Sequence, residues 1–600
     1  MTTQKDFFSQ QESISTDSSP WSSFFTRIAE QTQLAFKAYQ EATSQITFDD
    51  PLNMRPAFLE FSQKAFSNPE YLFEAQKELV ETQWNLWQKS VLKFFGDKPE
   101  GGQEQSQNQD KRFKDPAWSE NNIFNFIKES YFITSEWLQN SVNNMDGIDP
   151  STKKKVDFYT RQFVDAIAPT NFFATNPEVL RETIKTNGMN IIKGMENLAK
   201  DFERGNGKLR IKTVDHDHFQ IGKNIASTPG KVIFQTDLMQ LIQYSPKTEK
   251  VDQIPLLVVP PWINKFYIFD LSDKKSFIKW ALDHGKTVFI VSWVNPDDKL
   301  SHKTFNSYMQ EGIIAAIEAI IKQTGEPQIN VAGYCIGGTL LAATIAYLTE
   351  KKRDLIKSAT FLTTLTDFTD AGDMSVFIDD KQLDRLSKRI NKQGFLDAEA
   401  LNRTYSILRA NDMIWSFVIN NYMLGREPFP FDLLYWNDDS THMPAEMMTF
   451  FLRSMYKENL LAKAGGIKLD GVSIDLRDVK IPVYLLSAKE DHIAPWQTCY
   501  TGTQLFKGNT RFVLTASGHV AGMLNHPSLN KYCYWTNEKL PSNSMQWFKE
   551  AKQEQGSWWN DWLSWISKHG GKQIPALDPS KGKLKPIENA PGSYVQVKMY

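Results

Sequence analysis

Two spacings of apolar residues divide this chain. From about residue 21 to 207, apolar and aromatic positions recur every three or four residues. One stripe runs through Tyr71, Leu72, Phe73, Leu79 and Val80 and continues through Trp84, Trp87, Val91 and Phe94. A second joins Phe124, Phe126, Tyr131, Phe132, Trp137 and Leu138, and a third covers roughly Leu180 to Phe202. This spacing predicts amphipathic helices, hence an all-α N-terminal domain over 21–207. Gly205-Asn206-Gly207 is a helix stop. The polar run near 100–110 predicts a linker, and the Ser/Thr/Gln-rich residues 1–20 a disordered start.

After residue 207 the texture changes. Short β-branched runs alternate with helical stretches: residues 255–259, 287–291, 329–331, 359–362, 482–486 and 512–514. Such alternation predicts a mostly parallel sheet with crossover helices, an α/β domain over 208–600. A Met- and aromatic-rich stretch, about 367–475, interrupts the alternation between the fourth and fifth runs. No internal repeat is visible.

The third run leads into Gly333-Tyr334-Cys335-Ile336-Gly337-Gly338, and a helix-like apolar run follows. Strand, Gly-x-nucleophile-x-Gly, helix is the nucleophile elbow of the α/β-hydrolase fold. In that fold the long interruption tends to form a cap over the site. The acid and the histidine follow the nucleophile in chain order. Asp491 and His519 each follow a predicted strand, so Cys335, Asp491 and His519 are the candidate triad. His519 would take the thiol proton, and Asp491 would orient its ring. Glu490 and Asp367 compete for the acid's place, and His492 and His526 for the base's. The backbone N–H of Ile336 is one expected oxyanion donor. The other is expected near Trp262-Ile263-Asn264, after the first predicted strand.

Bulk properties narrow the choice. Of 600 residues, 41% are hydrophobic and 13% aromatic, ample for a large core. A net charge of −2 offers no electrostatic case for nucleic acid. Three cysteines in so long a chain fit a reducing compartment, and Cys499 and Cys533 read as inert buried thiols. No apolar run reaches transmembrane length and no secretory signal is visible, so a cytoplasmic protein is expected. Lys153-Lys154-Lys155 reads as a solvated helix start. Trp558, Trp559, Trp562 and Trp565 have helical spacing and read as a packing face, with an apolar docking surface as the rival. A thiol at the elbow matters chemically. Thioester exchange onto sulfur is close to thermoneutral, so the acyl group stays activated, and a site for acyl transfer should exclude water.

Several motifs together resemble class I poly(3-hydroxyalkanoate) synthases. They are the elbow itself, Pro260-Pro261-Trp262-Ile263-Asn264-Lys265-Phe266-Tyr267, Glu490-Asp491-His492-Ile493-Ala494-Pro495-Trp496 and Ser517-Gly518-His519-Val520-Ala521-Gly522. Lys111 to Trp118, Asn411 to Trp415, Phe431 to Asn437 and Gly556 to Trp559 add to the likeness, which runs from about residue 111 to the C-terminus. The resemblance implies polymerisation of (R)-3-hydroxyacyl-CoA, with 3-hydroxybutyryl-CoA as monomer, and release of CoA. Cys335 would carry the acyl chain. Asp491 would either orient His519 or activate the 3-hydroxyl. Asn264, Asp270 and Trp436 become candidate substrate contacts. No metal or other cofactor is implied. A homodimer, attachment to cytoplasmic polymer granules and contact with phasin-type proteins are implied partners. A polyester or acyl-thioester hydrolase is the alternative enzyme reading, and a non-catalytic granule-coat protein the alternative from another class.

Overall fold

A computed structural model describes residues 54–94 and 110–598. The predicted disordered start and nearly all of the predicted linker lie outside the described residues. An eleven-stranded sheet organises the rest. In chain order its strands are β1 Gly230–Gln235, β2 Met239–Tyr244, β3 Leu256–Val259, β4 Val288–Trp293, β5 Ile329–Tyr334, β6 Ile356–Leu362, β7 Val483–Ala488, β8 Thr510–Thr515, β9 Cys533–Thr536, β10 Lys552–Gln555 and β11 Glu588–Asn589. Their order across the sheet is β10-β9-β8-β7-β6-β5-β3-β4-β2-β1-β11. Strands β3 to β8, the six runs predicted above, form the parallel centre. The outer strands pair antiparallel.

The flanking strands escape the sequence reading because their residues do not advertise them. Strand β2 is buried at all six positions yet contains Gln240 and Gln243. Those amides are satisfied by Gln235, Ser593 and the Leu577 carbonyl, which removes the usual penalty for burying them. Strand β10 reads Lys-Gln-Glu-Gln, a polar edge that discourages pairing with another chain.

The chain leaves β3 for β4 on one side and returns to β5 on the other. The loops after β3 and β5 therefore diverge, and the crevice between them is where ligands bind in open α/β sheets. The helix Ile336–Glu350 follows β5 and is buried from Ile336 to Leu348, so it is apolar on every face.

The N-terminal part is helical, with Met54–Ser67, Pro69–Phe94, Asn122–Asn143, Pro150–Ala166, Pro177–Lys185 and Met189–Arg204 as its main helices. The stretch predicted as one helix over 180–202 is two, broken where Asn187 and Gly188 turn to positive φ. These helices pack on the segment between β6 and β7, which is itself mainly helical. Ion pairs knit the seam: Lys154 with Asp370, Lys155 with Asp379, and Arg161 with Asp373. Lys153-Lys154-Lys155 is thus not a solvated start. Lys155 is buried because its helix lies against the inserted segment. The tryptophan cluster is a packing face: Trp558, Trp559 and Trp562 are fully buried. Among the described residues, no helix is long and apolar enough to cross a membrane.

Candidate active site

The elbow can form because its glycines remove collisions. A Cβ on Gly333 would lie 2.5 Å from the Gly338 Cα, and one on Gly337 2.5 Å from the Pro260 carbonyl oxygen. A Cβ on Gly338 would overlap the Thr364 side chain. With that space free, Cys335 turns at φ 53°, ψ −129° between β5 and the following helix. A side-chain-bearing residue pays strain for that backbone, which is held by the Cys335 N–H donating to the Leu362 carbonyl at 2.9 Å. Ile336 opens the helix, so its N–H is one of the first-turn donors that have no acceptor within the helix.

Asp491 and His519 come from the loops after β7 and β8. Those loops are stitched together by Lys489 N–H donating to Thr515 O and Glu490 N–H to Ser517 O. His519 Nδ1 lies 2.6 Å from Asp491 Oδ2, while Asp491 Oδ1 accepts the N–H groups of Ile493 and Ala494 at 2.9 Å each. The Asp491 side chain is wholly inaccessible to solvent. Burial alone would push His519 down. The Asp491 carboxylate and the Cys335 sulfur, with hydrogen bonds to both, outweigh it and lift His519 to about 10. The buried tryptophans support this loop from below: Trp558 Nε1 donates to Gly522 O and Trp559 Nε1 to Met523 O. The Tyr334 ring lies 5.2 Å from the His519 ring. Sulfur, imidazole and carboxylate in series can deliver a thiolate to a carbonyl carbon.

Of the competing residues, Asp367 and His526 are engaged elsewhere, while Glu490 and His492 line the active-site cavity. Asp367 is engaged in a turn with Thr369 and Asn459. His526 caps a turn, accepting from Ser528 N–H, and abuts Trp559. Glu490 and His492 line that cavity, but the imidazole–carboxylate hydrogen bond there joins His519 to Asp491, and burial pushes His492 down to about 4. Cys499 is buried against the Ala494 carbonyl, and burial pushes its thiol up. Cys533 sits in β9.

Cys335 and His519 open into a cavity of about 850 Å³. Ile263, Asn264 and Trp436 line it too. Asn264 Nδ2 donates to Ser440 Oγ at 3.2 Å, and Trp436 Nε1 donates to the Lys265 carbonyl at 2.7 Å, so both tie the loop after β3 to the inserted segment. Asp270 does not line the cavity. It is a buried structural anchor whose carboxylate accepts from Thr228 N–H, Thr228 Oγ1 and Ser276 Oγ, so its expected substrate contact is corrected. The structure adds residues that no motif marked. Tyr405, from the inserted segment, lines the cavity, and its hydroxyl is pushed up by burial and then by the Cys335 charge. Gln139, Arg161 and Gln162, from the N-terminal helices, line it as well. Nothing in local sequence joins these residues to Cys335, because only the packing of the two parts brings them together.

Comparison with known proteins places this geometry. The family described as Poly-beta-hydroxybutyrate polymerase (PhaC) N-terminus matches residues 109–281, and the alpha/beta hydrolase fold matches residues 256–525. A Rhizobium meliloti protein named Poly(3-hydroxyalkanoate) polymerase subunit PhaC is 44% identical, covering 95% of this chain and 94% of its own. A Rhizobium etli protein of the same name is also 44% identical, over 92% of this chain and 87% of its own. One from Cupriavidus necator is 38% identical, over 82% and 83%. The likeness reaches well beyond the motifs, through the helical part and the inserted segment alike. With an α/β-hydrolase sheet, an elbow thiol and identity at this level over nearly its whole length, the chain belongs to the poly(3-hydroxyalkanoate) polymerase family.

Proposed function

We propose that the chain is an acyltransferase that polymerises (R)-3-hydroxyacyl-CoA, with 3-hydroxybutyryl-CoA as monomer, on Cys335. The observation that carries this reading is the buried series Cys335–His519–Asp491, whose thiol and imidazole line the cavity, in a chain whose relatives are named polymerases. The Cys335 thiolate attacks the thioester carbonyl carbon. The developing oxyanion is met by the Ile336 N–H, and by the Ile263 N–H on the cavity-lining loop after β3. The C–S bond to CoA breaks, and His519 gives the departing sulfur its proton. The 3-hydroxyl of a second hydroxyacyl-CoA then attacks the Cys335 thioester and passes its proton to His519. An oxygen ester forms, and the Cys335 sulfur is released. The lengthened chain, still a CoA thioester, reloads Cys335 and frees CoA. The cycle balances without a metal or redox cofactor.

Two details follow from the geometry. Neither Cys499 nor Cys533 lines the cavity, which favours a cycle on one thiol of this chain. The Asp491 carboxylate is inaccessible and both its oxygens are engaged, which favours orienting His519 over touching the 3-hydroxyl. Granule attachment belongs to the same proposal. The helix Pro69–Phe94 exposes Phe73, Val80, Trp84, Trp87 and Leu92, an apolar set suited to a polymer surface or a phasin-type protein. A homodimer is proposed on the family's behaviour alone. The test is to supply 3-hydroxybutyryl-CoA and measure CoA and polymer together. Matched release of CoA and polyester is expected. CoA release with only free hydroxyacid would replace this reading with a hydrolase.

A further inference from the structure

A second cavity, of about 630 Å³, lies among the N-terminal helices. Phe61, Leu72, Leu138, Val142 and Phe163 are among its walls, which come from Met54–Ser67, Pro69–Phe94, Asn122–Asn143 and Pro150–Ala166. Its volume falls within the roughly 300–1,000 Å³ of pockets that hold sizeable organic ligands. Gln162 lines both this cavity and the catalytic one. The neighbours Leu138 and Gln139 divide between the two, Leu138 lining the apolar cavity and Gln139 the catalytic one. The two spaces therefore back onto each other across two helices and meet at Gln162. Phe163, a lining residue, is 55% exposed, so the apolar cavity is not sealed from the surface.

The two cavities differ in chemistry in the way a polymerising site requires. Lys111, Arg161, Asp373, Arg409 and Glu490 put charge around the catalytic cavity, which suits a water-soluble, charged thioester. The repeat unit of the polyester has no charge and no hydrogen-bond donor, only weak ester acceptors. Each cycle adds a unit at the thioester end, so the distal end of the chain must be displaced from Cys335 while the monomer entrance stays clear. A route lined by charges would strip water from those groups with nothing to replace it. A route lined by phenylalanine, leucine and valine would not, and burying the chain's methyl and methylene groups there is favourable.

We infer that the apolar cavity of the N-terminal helices is the exit subsite for the growing oligo(3-hydroxyalkanoate) chain, entered from the catalytic cavity at Gln162. This rests on the polymerase reading above. It gives the N-terminal helices a direct part in elongation, beside any role at the granule surface.

The experiment acylates the full-length protein with oligo(3-hydroxybutyryl)-CoA thioesters that carry a diazirine at the distal hydroxyl end. A two-unit and a six-unit probe are photolysed, and the labelled peptides are mapped. The two-unit probe is expected to label residues around the catalytic cavity, such as Tyr405. The six-unit probe is expected to shift its label to the helices Asn122–Asn143 and Pro150–Ala166, at Leu138, Val142 or Phe163. Label from the six-unit probe on the inserted segment, or capture by solvent alone, would overturn the exit subsite and leave Cys335 acylation standing. Failure of either probe to acylate Cys335 would instead bring down the polymerase reading, and the exit subsite with it.

Discussion

Replacing Gly337 by alanine tests the elbow against the loop that faces it. Gly337 is in the first turn of the helix after Cys335. A Cβ there would lie 2.5 Å from the Pro260 oxygen and 2.6 Å from the Val259 oxygen, where ordinary contact begins near 3.4 Å. The carbonyls must therefore retreat by about 0.9 Å, and both belong to backbone. The Pro260 oxygen already accepts a hydrogen bond from Trp293 Nε1 at 2.9 Å, so it cannot swing away freely. The displacement passes into the loop that carries Ile263, the proposed second oxyanion donor. Misplacement of a reacting geometry by about 1 Å costs on the order of 100-fold in rate. Gly337→Ala is therefore expected to lower kcat for CoA release by about that factor. Alkylation of Cys335 by iodoacetamide should stay near the wild-type rate, because it needs no oxyanion hole. Far-UV circular dichroism and a thermal melt establish that the variant is folded. A folded variant with wild-type kcat would refute the argument that the Val259–Pro260 backbone sets the oxyanion geometry.

Asp491→Asn keeps the shape but lets an amide face His519 Nδ1, which favours the wrong tautomer. By analogy with the serine-protease triad, a loss of about 10⁴-fold in CoA release is expected, and a loss below tenfold would remove Asp491 from the series. Cys499→Ala should polymerise at close to the wild-type rate, because Cys499 does not line the cavity; a large loss measured as polymer yield would revive a second thiol. Stability should also report His519. Its folded value of about 10 is above the unfolded value of about 6.5, so the protonated ring stabilises the fold. That contribution is complete below about pH 6.5 and disappears as pH rises to about 10. Thermal melts of wild type should fall across that window, and His519→Gln should show a flatter slope; equal slopes would contradict the raised value.

Much of the catalytic half was legible because its signals are local. Apolar runs bounded by turns marked β3 to β8, and Gly333, Gly337 and Gly338 marked the elbow through the space they leave. Asp491 and His519 were legible from strand ends and chain order. What stayed hidden depends on partners distant in sequence. Gln240 and Gln243 look unlike a buried strand until the Gln235 amide, the Ser593 hydroxyl and the Leu577 carbonyl that accept from them are in place. The resemblance makes Asp270 a candidate substrate contact, yet Thr228 and Ser276 claim its carboxylate. Lys155 looked like a surface charge until Asp379 was packed against it. Gln139 and Gln162 could not be read as cavity residues, since helical spacing tells which face is apolar but not what it meets.

Whether Cys335 carries the growing chain is read from its covalent state during turnover. Full-length protein is mixed with 3-hydroxybutyryl-CoA, quenched in acid within the first turnovers, digested and examined by mass spectrometry. Hydroxybutyryl units, one and then more, are expected in thioester linkage on the peptide containing Cys335 and on no peptide containing Cys499 or Cys533. Polymer formed with an unmodified Cys335 peptide, or sustained polymer synthesis by Cys335→Ala, would show that Cys335 does not carry the chain.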